Sequence, residues 1–192
     1  MDDLLSQVRD CRVCLGQLPH GCRPVLRAAT SSKVVIIGQA PGSRVHASGI
    51  PWDDQSGKVL RKWMGVPEQI FYNQALFAII PMGFCYPGTG RSGDLPPRKE
   101  CAPMWHSKLL EKMPKVELIL LIGQYAQRYY LSENVKKNMT ETVRHFDHYL
   151  PKFLALPHPS PRNRFWLVKN PWFELDIVPY LQSRIEDLIG KE

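Results

Sequence analysis

No stretch of this chain is apolar for long enough to span a bilayer, which takes about 20 consecutive apolar residues. That lack excludes a helical membrane protein, and no membrane partner is expected. The opening residues Met1 to Leu5 include Asp2 and Asp3 and lack the basic-then-apolar core of a secretory leader, so a cytoplasmic location is expected. Internal repeats and low-complexity tracts are missing too, which excludes a repeat architecture. Acidic residues are scarce relative to basic ones, 18 against 25, and the resulting charge of +7 favours a polyanionic partner such as nucleic acid. Cysteines number only five, which in a cytosolic protein argues against a disulfide framework and leaves metal binding, catalysis or burial.

What is present suits one globular unit. The 192 residues, 44% of them hydrophobic, suffice for a sizeable core, and one domain spanning 1–192 is expected, acting as a monomer. The 17 prolines concentrate around Cys85 to Pro103 and Pro151 to Pro161, marking two long ordered loops rather than a linker.

Val34-Val35-Ile36-Ile37 is a β-branched run without alternation, the pattern of a parallel strand buried on both faces. Similar runs at Phe77 to Pro81, Val116 to Ile122 and Phe153 to Leu156 predict three more strands. Helices are predicted at Asp3 to Arg9, Ser56 to Trp63, Cys101 to Leu110, Tyr125 to Leu131, Thr140 to Val143 and Pro171 to Ile189, with a polar loop over Ser43 to Gln55. Strands alternating with helices imply an α/β fold of three layers, α/β/α, around a four-stranded, mainly parallel sheet.

In such sheets ligands bind beyond the carboxyl ends of the strands. Those ends carry Gly38-Gln39-Ala40-Pro41-Gly42, Met82-Gly83, Gln124 and His158. Gly38 and Gly42 permit close backbone approach, and Gln39 brings an uncharged donor and acceptor. His158 lies between Pro157 and Pro159, whose restricted backbone suits a group that meets a ligand at a fixed position. His46, His106, His145 and His148 have no such framing and are expected at the surface. Cys11 and Cys14 form a Cys-x-x-Cys pair, and Cys85 and Cys101 bound the first proline-rich loop. Four thiolates suit either a [4Fe–4S] cluster or tetrahedral zinc, four unligated thiols being the alternative; Cys22 is left over.

Taken together and in order, Gly38-Gln39-Ala40-Pro41-Gly42, Gly49-Ile50-Pro51-Trp52, Ser56-Gly57 at a helix start and His158-Pro159-Ser160-Pro161 resemble the uracil-DNA glycosylase superfamily, across Cys11 to Asn163. The pattern is most similar to the iron–sulfur-containing bacterial and archaeal branch, with its Gly-Glu-x-Pro-Gly turn, Gly-x-Pro-Phe loop and four cluster cysteines. The resemblance implies a DNA-repair glycosylase that hydrolyses the N-glycosidic bond of a flipped-out deaminated base, uracil or a related one, in single- or double-stranded DNA. It implies His158 and Gln39 as catalytic groups, His158 giving an N–H to the base oxygen, and Gly38, Ala40, Trp52, Met82 and Gly83 around the base. It implies DNA-backbone contacts from Gly42, Ser160, Arg162 and Asn163, and a [4Fe–4S] cluster on Cys11, Cys14, Cys85 and Cys101, with zinc or no metal as alternatives.

Two departures stand out. The branch carries Glu where this chain has Gln39, and the best-known relatives carry Asp where it has Ala40, so the turn holds no water-orienting carboxylate; Asp53 and Asp54 are candidates to supply one. The asparagine with which the family reads a pyrimidine edge late in the second strand is also missing from Ile79-Ile80-Pro81-Met82-Gly83. A non-catalytic or divergent nucleic-acid- or nucleotide-binding member of the fold is therefore the alternative function.

Overall fold

The computed structural model describes residues 1–91 and 93–190; position 92 and the last two positions of the expected 1–192 domain lie outside the described residues. Helix α1 (Asp2–Arg9) leads into an irregular segment, and strand β1 (Val34–Ile37) follows. Then come α2 (Ser43–Ser48), α3 (Gln55–Met64), α4 (Glu68–Phe71) and strand β2 (Phe77–Ile79). The proline-rich loop folds on itself as a short ribbon, β3 (Thr89–Gly90) against β4 (Gly93–Asp94), and enters α5 (Cys101–Glu111). Strand β5 (Leu118–Ile122), α6 (Gln124–Leu131), α7 (Met139–Arg144) and strand β6 (Phe153–Leu156) complete the layered part. Helix α8 (Arg164–Lys169) and α9 (Val178–Ile189) close the described chain.

The four main strands form one parallel sheet in the order β2-β1-β5-β6, with Val34 beside Phe77 and Leu118, and Leu120 beside Leu154. Both faces are buried, as the unbroken apolar runs predict. Successive strand residues point to opposite faces. Val35, Ile37, Ala78, Ile119, Leu121 and Ala155 therefore pack with Leu5 and Val8 of α1, Leu109 of α5 and Ala126 of α6. Val34, Ile36, Phe77, Leu118, Leu120 and Leu154 pack on the other side with Leu60, Trp63 and Met64 of α3 and Leu181, Ile185 and Leu188 of α9. The expected α/β/α layering is present.

The strand order locates the ligand crevice. From β1 the chain crosses outward to β2, returns to the far side of β1 as β5, and then moves outward again to β6. Connections leave β1 and β5 in opposite directions, so a crevice opens between their carboxyl ends. The Gly38–Gly42 turn follows β1, and Gln124 opens α6 directly after β5.

Several expectations need correction. The loop predicted over Ser43 to Gln55 contains α2, in which only Val45 is buried; no apolar stripe announced it. Helix α8 buries no residue at all and was invisible for the same reason. The long C-terminal helix begins instead as a π-helical stretch, Phe173–Ile177. Pro179, in the first turn of α9, has no N–H for the carbonyl four residues back and its ring crowds that carbonyl, so the preceding turn widens. His106, expected at the surface, is 1% exposed, because it shares the inner face of α5 with Cys101, Ala102 and Leu109.

Candidate active site

A cavity of about 580 Å³ opens at the predicted crevice, walled by the turn after β1, the Trp52 loop, Asp94 of the ribbon, Gln124 and Tyr125 at the start of α6, and the His158 loop. Of the residues singled out in the sequence, Gly38, Gln39, Ala40, Gly42, Trp52, His158, Ser160, Arg162 and Asn163 all line it. Met82 and Gly83 do not. Their amide N–H groups donate to the carbonyls of Gly38 and Gln39 at 2.9 Å, and Met82 faces an adjoining, more apolar groove of about 740 Å³ with Tyr125, Arg128 and Tyr129. They stabilise the turn from behind, because the strand pairing of β1 and β2 continues past the strand ends.

Trp52 is held by two glycines. Its indole lies over Gly38, where a Cβ would stand 2.7 Å from the ring carbon Cζ2. Its carbonyl oxygen lies over Gly57, where a Cβ would come within 1.8 Å. Neither position accommodates a side chain while Trp52 keeps this pose. Trp52 itself has φ +58, a left-handed backbone that a bulky residue adopts only when its surroundings over-determine it. The Tyr72 hydroxyl donates to Pro51 O at 2.9 Å, and Asp54 caps α3 by accepting from Gly57 N at 2.8 Å, so the loop is fixed on both sides of the tryptophan. The Ser56-Gly57 helix start noticed in the sequence is thus a seat for Trp52.

The Trp52 and His158 ring centroids are 5.5 Å apart and tilted by 32°. A base sandwiched between two rings needs them roughly 7 Å apart, two van der Waals contacts. Trp52 and His158 therefore form adjoining walls of the cavity rather than the two sides of a slot. Burial pushes the His158 pKa below its ordinary 6.5, against an opposing pull from the Asp54 and Asp94 carboxylates, so the imidazole is neutral at neutral pH. Its loop is braced from within: Asn163 Nδ2 donates to His158 O at 2.7 Å, and Ser160 Oγ accepts from Arg162 N at 3.3 Å. Two of the expected DNA-backbone residues thus also hold the histidine in place.

The ribbon was not anticipated as part of the site. Gln39 Nε2 donates to Leu95 O at 3.1 Å. A Cβ on Gly42 would stand 3.3 Å from Asp94 Oδ2, and one on Gly93 would collide with the Arg162 guanidinium. The ribbon is thus stitched to the turn after β1 on one side and to the His158 loop on the other. Ribbon pairing of two residues per strand leaves no periodicity to read, and the glycine-rich run before Asp94 was the available hint.

The five cysteines share one neighbourhood. Cys14 and Cys85 pack with Leu18, with Cys22 beside them. Burial pushes the Cys85 thiol up to about 12 and Cys101 up to about 11, and neighbouring thiols add to both shifts, Cys11 among them in each case. Cys14 is also raised by burial, against a hydrogen bond from Arg98. Four soft donors in one place have the right chemistry for an iron–sulfur cluster or zinc, and a bound cation reverses the penalty on thiolate formation. Among the described residues, however, no three His, Cys, Asp or Glu side chains already stand as a metal-holding group. The cysteine segments are meanwhile joined by protein contacts: Arg98 bonds to Gln17 and to Glu100, the latter at 2.6 Å, and Val25 N donates to Phe84 O at 2.8 Å.

A family model described as the uracil DNA glycosylase superfamily matches residues 26–182, a span that holds the turn after β1, Trp52, the ribbon and the His158 loop. It includes Cys85 and Cys101 and leaves out Cys11 and Cys14. Among solved structures, the chain is similar to a solution NMR structure of a Methanosarcina acetivorans protein provisionally described as a uracil DNA glycosylase. The two are 16% identical, and the match covers 84% of this chain and 98% of that one with a TM-score of 0.44.

Proposed function

The chain belongs to the uracil DNA glycosylase superfamily, and from that premise we propose that it hydrolyses the N-glycosidic bond of a deaminated base, uracil or a related one, flipped out of DNA into the cavity beside His158. The observation that carries this reading is the meeting of Trp52, His158 and the Gly38–Gly42 turn around one cavity at the sheet's switch point. Departure of a base leaves an oxocarbenium-like sugar and an anionic base, so the site has to stabilise negative charge on a base oxygen. A neutral imidazole does this by donating an N–H, with no proton to lose first. Trp52, fixed over Gly38, supplies a stacking face.

Gln39 supports a deaminated substrate. Its Nε2 is engaged with Leu95 O, which fixes the amide's orientation and leaves Oε1 as an acceptor. Deamination converts a ring nitrogen from acceptor to N–H donor, in uracil as in hypoxanthine. An acceptor at Gln39 therefore favours deaminated bases over cytosine and adenine, whose ring nitrogens would face it lone pair to lone pair.

The positive charge and the segment around α8 support DNA as the partner. Arg162 lines the cavity, and Arg164 opens α8 just after it, followed by Phe165, which is 79% exposed. An exposed aromatic beside two cations suits a side chain that fills the gap left by a flipped base. For Cys11, Cys14, Cys85 and Cys101 we propose a [4Fe–4S] cluster, with zinc as the other metal fitting four thiolates; such a group would bind the N-terminal segment to the ribbon-bearing loop.

The test is base release from a panel of oligonucleotides carrying uracil, hypoxanthine, xanthine or an undamaged base, at low salt, with protein purified anaerobically and its metal content measured. Release from deaminated members alone is expected. Salt-dependent DNA binding without any abasic product would overturn the catalytic reading in favour of a binding role, and colourless, zinc-free protein with full activity would overturn the metal assignment.

A further inference from the structure

The turn after β1 offers Gln39 and Ala40 and no carboxylate, although hydrolysis at a sugar carbon needs a group to hold and deprotonate water. Three acids lie near enough to the site to be compared. Asp53 faces Arg44 at 3.9 Å and is not among the cavity walls. Asp54 reaches the cavity but is the cap of α3, its Oδ1 accepting from Gly57 N at 2.8 Å beneath the Trp52 seat. Asp94 reaches the cavity from the ribbon. Its Oδ1 accepts from Thr89 Oγ1 at 3.3 Å, and the Thr89 hydroxyl is itself bonded to the Tyr86 hydroxyl. Its Oδ2 lies over Gly42, in the cavity that His158 also lines. The residue is exposed, so water reaches it.

We propose that Asp94 is the carboxylate that positions and deprotonates the hydrolytic water, supplied by the β3–β4 ribbon in place of the acid missing from the turn. The inference rests on the glycosylase reading above. In the step it serves, the bond from C1′ to the base nitrogen breaks and its electron pair leaves with the base, whose oxygen meets the His158 N–H. The water oxygen forms the new bond to C1′, and the water proton passes to Asp94 and from there to solvent. Thr89 fixes one carboxylate oxygen and leaves the other for the water. The Gln39–Leu95 bond and the packing of Arg162 on Gly93 hold the ribbon, and with it Asp94, over the turn.

Two measurements test this. In single-turnover release of uracil, Asp94→Asn should be slowed by about 100-fold, within the range of lost general-base catalysis, with DNA affinity unchanged; Asp94→Glu should recover part of the rate and Asp53→Asn should match wild type. An unaffected Asp94→Asn rate, or a rate loss matched by lost DNA binding, would overturn the proposal. The second measurement needs no turnover. DNA bearing a cationic pyrrolidine in place of the sugar mimics the charge that develops at C1′, and a tetrahydrofuran abasic site is its neutral counterpart. Wild type should prefer the cation by roughly tenfold, the scale of one charge pair near a protein surface, and Asp94→Asn should lose that preference. Persistence of the preference in Asp94→Asn would refute the role of Asp94 even in an active enzyme. Loss of the preference in a protein that releases no base would keep the carboxylate and refute the glycosylase reading.

Discussion

His158 and His106 occupy two regions of the molecule that treat the same side chain in opposite ways. Burial lowers the pKa of both, His106 to about 4. In the core behind β2, His106 has both nitrogens engaged, Nδ1 with the Tyr130 hydroxyl at 2.6 Å and Nε2 with Pro81 O at 3.1 Å. A carbonyl only accepts, so Nε2 carries the proton and Nδ1 takes the hydrogen bond of Tyr130, whose own pKa burial raises. At the strand ends His158 is held by its backbone instead, through the two prolines and the Asn163 bond to its carbonyl, while its ring faces a cavity. A depressed pKa therefore does not mark a catalytic histidine; what the ring nitrogens face decides between structure and chemistry.

That contrast breaks most sharply on replacing His158. His158→Ala should cut base release by about 100- to 1,000-fold, the effect of losing one oxyanion donor, near 3–4 kcal/mol on the barrier. Thermal unfolding near neutral pH should hardly move. A comparable loss of fold, or no loss of rate, would assign His158 to the structural class of His106.

The next largest effect belongs to His106 and concerns stability. Its folded pKa of about 4 lies below the ordinary 6.5, so the unfolded chain binds the proton more readily between those values. Its neutral form supports the fold fully above pH 6.5, and that support is lost as pH falls toward 4, by about 3 kcal/mol over the window. Urea unfolding of wild type and His106→Gln at pH 7, 5.5 and 4.5 reads this out. The variant should show a shallower decline, and parallel declines would refute the assignment.

A smaller effect should follow Gly57→Ala. The added methyl meets the Trp52 carbonyl, and overpacking of this kind costs about 1–3 kcal/mol. Because Trp52 is the part displaced, base affinity should fall together with stability, by roughly tenfold in KM. A stability loss with unaltered KM would separate Trp52 from base binding.

The sheet was legible because each strand is an apolar run that any parallel sheet buries on both faces, and because Gly, Pro and polar residues end each run abruptly. Val34 to Ile37 and Leu118 to Ile122 need no partner to be recognised. The location of the site was legible for a related reason: Gly38–Gly42 and the Pro157-His158-Pro159 frame are local in sequence and lie just beyond strands, whereas Trp52, between α2 and α3, was picked out only by the family resemblance. His106 was misplaced because one histidine in a helix of weak amphipathicity carries no sign of which way it faces. Met82 and Gly83 were placed at the base because they follow a strand end, whereas inter-strand hydrogen bonding had already claimed their N–H groups.

On its own, the sequence determined the α/β layering, the strand-end crevice and His158 at its edge, since these follow from short-range patterns of burial and backbone restriction; Trp52 joined them only through the family resemblance. Tertiary structure decided which polar groups meet there. Asp94 lies 52 residues beyond Gly42 and reaches it only because a two-residue ribbon folds back over the turn. Nothing in local propensity encodes such a contact, because it depends on the ribbon's docking against Gln39 and Arg162 rather than on the residues around Asp94 itself.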